Sequence, residues 1–274
     1  LSLNKWLHNL CPFYGVQITI LFRNGKHMET PTCKCCLNQT TQFVGHIDFN
    51  KTCMDRFGPR IFPVSDVQVP YYSCQNCGFV FTDMMDTWSK QQFSENIYNT
   101  DYSKADAPTP GYENKSVRES ISYQNGINLI KSLDGSEKEI RVLDYGAGGN
   151  PGKTGLAFLD HGFELFSYEP HLSDTNSLPE GIFEFIYAIE VVEHCHDLED
   201  LGTQICQKLS LDGIFYVQTL LHPFPTPDNV LNSWYISPRN GHISIFTFQS
   251  LVILFRRYGI NIVQTIHGVI GFTN

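Results

Sequence analysis

Two acids and a glycine turn carry the first chemistry in this chain. Arg141-Val142-Leu143-Asp144-Tyr145 reads as an apolar strand that closes on an acid and opens into Gly146-Ala147-Gly148-Gly149. Phe163–Tyr168 reads as a second strand, and it ends at another acid, Glu169. Glycines at such a turn let the backbone bend sharply and approach a ligand without Cβ clashes. The helix that follows presents unpaired N–H groups. An acid at the end of the second strand can accept hydrogen bonds from both hydroxyls of a ribose. The pattern is that of a site for a nucleoside-bearing cofactor.

Three cofactor classes compete for that turn. A nicotinamide site asks for G-x-G-x-x-G, but the third position holds Pro151, and Gly152 comes one residue late. A phosphate loop asks for G-x-x-x-x-G-K-[S/T], and Ala147 to Thr154 fits it except at the first glycine. Beside a triphosphate, however, Asp144 would meet like charge. S-adenosylmethionine carries an ammonium and a sulfonium and no phosphate, so Asp144 can help to neutralise its positive end. The expectation is therefore an S-adenosylmethionine site lined by Asp144, Gly146, Ala147, Gly148 and Glu169, with Lys153 and Thr154 in the first turn of the next helix.

A second constellation follows the strand Phe183–Ile189. It is Glu190-Val191-Val192-Glu193-His194, then Cys195-His196-Asp197. Polar residues at the carboxyl end of a central strand lie in the ligand crevice of a doubly wound sheet, so Glu190 is expected to line the cofactor. Methyl transfer is an in-line displacement at a sulfonium methyl, and the enzyme must align the nucleophile and, where needed, take its proton. Histidine titrates near neutrality. His194 and His242 are the general-base candidates, with Glu193 orienting His194. Tyr98 and Tyr102 are candidates to close over the acceptor, and Trp234 and Tyr235 to line its pocket. Each of these also has a plain packing explanation, and Asp197 reads equally as the cap of the next helix.

The cysteines make a third pattern. Nine occur, and two C-x-x-C knuckles stand out: Cys33-Lys34-Cys35-Cys36 and Cys74-Gln75-Asn76-Cys77, the latter followed by Gly78. Such knuckles can place four thiolates on one tetrahedral Zn²⁺ in a closed, structural site. The ligands expected are Cys33, Cys36, Cys74 and Cys77, with Cys35 an alternative to Cys36. Cys53, Cys195 and Cys206 read as small core residues.

The elements that must position these groups follow from hydrophobic periodicity. From residue 140 on, strands alternate with helices: Ile140–Tyr145, Lys153–His161, Phe163–Tyr168, Phe183–Ile189, Leu198–Leu209, Ile214–Gln218, Phe248–Tyr258 and Ile260–Ile266, with Val269–Phe272 as a further short strand. That order implies a doubly wound, mostly parallel α/β sheet. Residues 113–274 are expected to form this domain, introduced by a helix from Glu113 to Leu133 with Val117, Ile121, Ile127 and Ile130 on one face. Residues 28–82 read as a small β-rich module that needs a staple to be stable, 83–112 as a linker or lid, and 1–27 as an extension of no assigned role. The chain has 274 residues, a hydrophobic fraction of 42% and a formal charge of -9. That balance argues against a broad nucleic-acid or anionic-membrane surface. No apolar run is long enough to span a bilayer and no signal peptide is evident, so the expected compartment is the cytoplasm.

Taken together, these motifs resemble the class I S-adenosylmethionine-dependent methyltransferases. The resemblance runs over Val142–Gly148, Tyr168-Glu169-Pro170, Phe183–His194, Leu209-Ser210-Leu211-Asp212-Gly213-Ile214-Phe215 and His242–Thr247, and covers roughly residues 113–274. It implies a seven-stranded Rossmann-like sheet with the cofactor at the carboxyl ends of the early strands and residues around Ala188–Glu190 facing the adenine or the acceptor. A zinc module before such a domain is similar in layout to the sugar C-methyltransferases. This chain is expected to lack their C-terminal domain, and Gly241 precedes His242 where they carry a glutamate. The implied partner is a small-molecule acceptor, such as a sugar or related metabolite. Two other readings remain open at this point: a phosphate-loop nucleotide-binding protein with Glu190 as its Mg²⁺ acid, and a partner-binding zinc ribbon on an inactive methyltransferase fold.

Overall fold

The computed structural model describes residues 30–108, 110, 114–133, 140–172, 175–265 and 268–273. The extension read in residues 1–27 lies outside the described residues. Among the described residues three strands come first: β1 (Thr41–Asp48), β2 (Gln68–Cys74) and β3 (Val80–Phe81). In β2 the period of two turns Val69, Tyr71 and Ser73 inward, as a half-covered strand requires. Three helices follow, α1 (Lys90–Asn96), α2 (Tyr102–Ala105) and α3 (Lys115–Ser132). The alternating part then runs β4 (Arg141–Tyr145), α4 (Lys153–Asp160), β5 (Glu164–Tyr168), β6 (Phe183–Ile189), α5 (Leu198–Lys208), β7 (Leu209–Gln218), α6 (Pro227–Leu231), β8 (Ser244–Ile245), α7 (Phe248–Arg256), β9 (Ile260–Gln264) and β10 (Val269–Thr273).

The larger sheet has the order β5-β4-β6-β7-β10-β9. β4 pairs in parallel with β5 and β6, and β6 with β7, while β10 runs antiparallel to both β7 and β9. The chain leaves β4 to one side for β5 and returns to its other side for β6. That reversal is the switch point at which such sheets bind ligands, beyond the carboxyl ends of the strands. Leu129 and Phe158, from α3 and α4, cover one face against Val142, Phe185, Tyr187 and Tyr216. Leu201, Ile205, Leu251 and Leu254, from α5 and α7, cover the other against Leu143, Ile186, Phe215 and Val217.

The α/β class is as expected, and three details differ. The sheet has six strands among the described residues, not seven; the short stretch from Pro170 to Gly181 turns back through Glu169 N–H to Thr175 C=O (2.9 Å) instead of adding a strand. In α3, Val117 and Ile121 are exposed, and the buried residues are Gly126 and Leu129, because α4 meets only the second half of the helix. Cys206 is exposed on α5 and is not a core residue.

The small module does not stand apart from the sheet domain. Its strands form a four-stranded antiparallel sheet, β1-β2-β3-β8, whose last strand comes from the segment after His242. Thr247 Oγ1 donates to the Cys77 carbonyl (2.7 Å) and Gln249 Nε2 to that of Asn76 (3.0 Å). Arg257 Nη1 donates to the Cys35 carbonyl (3.0 Å). Residues 83–108 fold back onto both parts, burying Met85, Phe93, Ile97 and Ala105.

α3 and α4 press closely together on the face of the sheet behind β4. A Cβ on Gly126 would lie 2.5 Å from the Thr154 carbonyl oxygen and 2.7 Å from the Ala157 Cβ. Helix propensity alone favours Gly126→Ala by up to about 1 kcal/mol, whereas overpacking against backbone costs about 1–3 kcal/mol. Gly126→Ala should therefore lower stability, read as a fall in urea midpoint at unchanged slope; a rise would show that α3 is not pressed on α4.

Candidate functional site

The glycine turn is tied down at the switch point. Gly146 N–H and Ala147 N–H both donate to the Tyr168 carbonyl, at 2.8 and 3.0 Å. Gly146 takes a φ of 81°, and a Cβ there would lie 2.4 Å from Val191 Cγ2. Gly148, at φ 59°, opens onto free space, with nothing within 4 Å of an added Cβ. Glu169 reaches across from the end of β5: its Oε2 accepts from Gly148 N–H (3.1 Å) and its Oε1 from His171 N–H (3.2 Å). A carboxylate has about four acceptor sites, so Glu169 keeps capacity for ribose hydroxyls. The open turn and the acid beside it fit an S-adenosyl nucleoside.

Asp144 lies beneath the turn and is only 4% exposed. Its Oδ2 is 3.3 Å from where a Cβ would sit on either Gly152 or Gly155, so the carboxylate packs under the first turn of α4. Burial pushes its pKa up to about 7; the Tyr187 hydroxyl acts against that rise and the charge of Glu169 adds to it. Ala147 is half-buried at the same turn. Lys153 and Thr154, which imitate a phosphate loop in sequence, face the other way. Lys153 Nζ stands 3.5 Å from Glu119 Oε1, and Thr154 Oγ1 donates to the Ser122 carbonyl (3.1 Å), both on α3. The phosphate-loop reading fails on that placement.

The second constellation gathers around one phenol. Tyr235 is 2% exposed, and its hydroxyl lies 2.7 Å from Glu193 Oε1, 3.3 Å from Glu190 Oε2 and 3.1 Å from Thr219 Oγ1. It also accepts from Leu220 N–H at 3.3 Å. Glu190 begins the loop after β6 with a φ of 54° and stands exposed at the crevice mouth, whereas Glu193 is fully buried. His194 Nε2 is 3.9 Å from Glu193 Oε1. The His194 and His242 rings meet edge to face, centroids 4.8 Å apart. His242 Nδ1 bonds the Tyr235 carbonyl (2.8 Å). Burial lowers His194 to about 4 and His242 to about 3, so both imidazoles are neutral near pH 7.

Tyr98 roofs this cluster. Its ring lies 4.4 Å from that of His171, 5.2 Å from Tyr102 and 6.4 Å from His194. Trp234 turns away instead: the Arg56 guanidinium stacks 3.5 Å over its ring, so Trp234 packs against the N-terminal module.

A family model described as a methyltransferase domain, Methyltransf_23, matches residues 118–265. The chain belongs to the Methyltransf_23 family of methyltransferase domains. It is a family of S-adenosylmethionine-dependent enzymes. Among solved structures, the chain is similar to the YcgJ protein from Bacillus subtilis, at 19% identity over 52% of this chain and 71% of that one, with a TM-score of 0.42. It is similar also to the mitomycin 7-O-methyltransferase MmcR (14% identity, 67% of this chain, 59% of that one, TM-score 0.43). A third is CalO1, a methyltransferase in calicheamicin biosynthesis solved in its SAH-bound form (13% identity, 70% of each chain, TM-score 0.41). No curated protein sequence matches the chain.

Outside the matched methyltransferase segment, the cysteine pattern closes into a cluster. Cys33 Sγ lies 3.6 Å from Cys77 Sγ, and Cys36 Sγ 3.5 Å from Cys74 Sγ. All four sulfurs lie within 4.8 Å of one another. Zinc–sulfur bonds of about 2.3 Å in a tetrahedron ask for sulfurs about 3.8 Å apart, so the four fit a zinc ion. Cys36, not Cys35, supplies the fourth sulfur; Cys35 is buried beside the cluster. Gly78, at φ 72°, makes the turn after the second knuckle and donates its N–H to the Cys74 carbonyl (2.9 Å).

Several residues at the methyltransferase crevice escape sequence reasoning. His171 stacks under Tyr98 and its Nδ1 is buried without a hydrogen-bond partner; nothing in Pro170-His171-Leu172 marks it. Arg239 donates to the Ile97 carbonyl and Asn99 Oδ1, each at 2.8 Å, and Asn240 Nδ2 to the Ala105 carbonyl (3.0 Å). These two side chains hold α1 and α2 over the site. Gly241 matters by its lack of a side chain. At φ 84° a Cβ would come within 3.0 Å of His194 Nδ1 and 3.2 Å of the Tyr98 hydroxyl, so a glutamate before His242 has no room.

The state of Asp144 carries a pH signature. Its ordinary value is 3.8 and its folded value about 7. Between the two, the folded protein holds a proton that the unfolded chain has released. The group's contribution is full below about pH 4 and is lost toward pH 7, at about 1.4 kcal/mol per pH unit. Thermal melts of the cofactor-free protein at pH 5 and 7.5 should show a larger loss for the native chain than for Asp144→Asn. Equal losses would mean that Asp144 ionises freely where it lies.

Proposed function

We propose that this chain moves a methyl group from S-adenosylmethionine to a small-molecule acceptor held between the Glu193–His194–His242 cluster and the Tyr98–Tyr102 roof. One observation carries the reading: the glycine turn, Glu169 and the Glu193–His194 step follow the carboxyl ends of the neighbouring parallel strands β4, β5 and β6, and His242 packs edge to face on His194 there. Asp144, Gly146, Ala147, Gly148, Glu169 and Glu190 are the residues that would hold the cofactor. When bound, it supplies an activated methyl on a sulfonium. Glu169 takes the ribose hydroxyls, and ionised Asp144 offsets the positive end through the turn above it.

The remaining work is alignment and proton handling. Neutral His194 and His242 keep lone pairs that accept a hydrogen bond from the acceptor's O–H or N–H group. The Tyr235 carbonyl fixes the His242 ring and His194 packs edge to face against it, so the acceptor atom is held rather than searched for. Tyr98 and Tyr102 exclude water and offer apolar faces to the body of a sugar or related metabolite. Trp234 contributes by fixing Arg56 and the module beneath. Residues 28–82 act as a zinc-stapled base, with Cys33, Cys36, Cys74 and Cys77 on the metal, 83–112 as the roof, and 113–274 as the catalytic part.

Calorimetry tests this directly. S-adenosylmethionine should bind at one site, and Glu169→Gln should weaken it roughly ten- to a hundredfold, the loss of a charged hydrogen-bond acceptor. Gly146→Ala, driven into Val191, should weaken it further, and Lys153→Ala should leave it unchanged. Absence of binding by the native chain would overturn the reading. The module makes a separate statement: one zinc per chain by elemental analysis, lost in Cys77→Ser together with several degrees of melting temperature.

A further inference from the structure

Inside the acceptor crevice, the donor atoms of Glu193, His194 and His242 lie within 4.8 Å of one another. Their hydrogen bonding leaves capacity unspent. Glu193 Oε1 takes the proton of Tyr235 (2.7 Å), but Oε2 is buried with no partner. Tyr235 has a single proton to give, so it cannot supply Glu193 twice, and neither Glu190 nor Glu193 forms an ion pair with Lys or Arg among the described residues. His242 commits Nδ1 to the Tyr235 carbonyl (2.8 Å). Its proton therefore sits on Nδ1, and Nε2 keeps a lone pair. A backbone carbonyl on the other ring nitrogen is how proteins orient a metal-bound histidine. A wholly buried carboxylate oxygen without donor or cation is costly, and the other oxygen of the same carboxylate, Oε1, lies 3.9 Å from His194 Nε2.

We propose that Glu193, His194 and His242 bind a divalent cation, distinct from the ion of the cysteine cluster. Its acceptor is then a hydroxyl compound, whose oxygen takes an open position on the cation. Metal–nitrogen and metal–oxygen bonds of about 2.0–2.2 Å put neighbouring ligand atoms about 3–4 Å apart, so the present spread closes with side-chain rotations of under about 1 Å. Two imidazoles and one carboxylate suit zinc or manganese, whereas four thiolates select zinc. Three protein ligands leave positions open, as catalytic ions require and the closed cysteine site does not. A cation there polarises a bound hydroxyl and lowers its pKa, a task for which two deeply buried imidazoles are poor bases alone. Its catalytic role rests on the methyltransferase reading; its existence does not.

The test uses the full chain. Metals are counted by elemental analysis, and Mn²⁺ is titrated in by electron paramagnetic resonance, with S-adenosylmethionine calorimetry on the same samples. The native chain should hold one divalent ion beyond the one that Cys77→Ser removes, either as zinc already present or as added Mn²⁺. Glu193→Gln, which keeps the shape and the Tyr235 bond, and His242→Asn should each weaken it about tenfold or more while cofactor heat persists. A native chain that takes up no ion beyond the cysteine site overturns the proposal whether or not the variants fold, as do variants that bind Mn²⁺ like the native chain. Ion binding without any S-adenosylmethionine heat would sustain the metal site and sink the methyltransferase reading instead.

Discussion

The Tyr235 hydroxyl is the contact on which the crevice depends. It is the meeting point of the loops after β6 and β7 and of the segment that leads into β8, because Glu190, Glu193, Thr219 and Leu220 N–H all reach it. The same residue's carbonyl fixes His242. The residue thus does two jobs: its phenol solvates a fully buried carboxylate, which no apolar side chain could do, and its backbone carbonyl sets the angle of an imidazole. Buried polar networks specify one arrangement only when their members are satisfied. This one is nearly so: Glu193 Oε2 and, in the adjoining ring, His194 Nδ1 are buried without hydrogen-bond partners.

That network would not hold without the sheet behind it. β8 is only Ser244–Ile245, too short to stand alone, and it is fixed because β3 offers it a partner edge. β3 is short in turn and is anchored by the second cysteine knuckle, where the Phe79 carbonyl accepts from Cys74 N–H at 2.8 Å. The order of dependence thus runs from the four sulfurs to β3, to β8, and through Ile243 N–H, which donates to the Glu193 carbonyl (3.0 Å), into the crevice. The cysteine cluster and the α5–α7 side of the large sheet also share one apolar core. A zinc ion held at the sulfurs would therefore act on the segment that carries His242 and not merely on a detached module.

How much of this the residues disclose in advance depends on whether the determining contact is local. β6 begins and ends where its apolar run does, and β4 and β5 end at the acids that close them, since strand patterning and glycine turns are short-range. The cysteine knuckles are legible for the same reason. The join of β3 to β8 is not, because nothing in His242–Thr247 says which edge will receive it. In α3, Val117 and Ile121 sit at helical spacing with Leu129, yet α4 is too short to cover them; the period shows a face, not its partner. His171 is invisible in sequence because its position depends on Tyr98 folding back from α1, a contact that Arg239 and Asn240 secure from far along the chain.

The glycine before His242 shows how such long-range demands can mislead a motif comparison. Beside sugar C-methyltransferases, Gly241 reads as a lost glutamate. In the folded chain it is a left-handed residue with a φ of 84° that lets His194 and Tyr98 close on one point. A Cβ there would press on His194 Nδ1 and on the Tyr98 hydroxyl, at 3.0 and 3.2 Å. The carboxylate that stands with the two imidazoles is that of Glu193, one turn away in sequence from the end of β6 and wholly buried. The acid has not vanished from the site; it enters from a different strand end. A carboxylate bonded to the Tyr235 hydroxyl at 2.7 Å and standing 3.9 Å from His194 Nε2 can steady the cluster or share an ion with it.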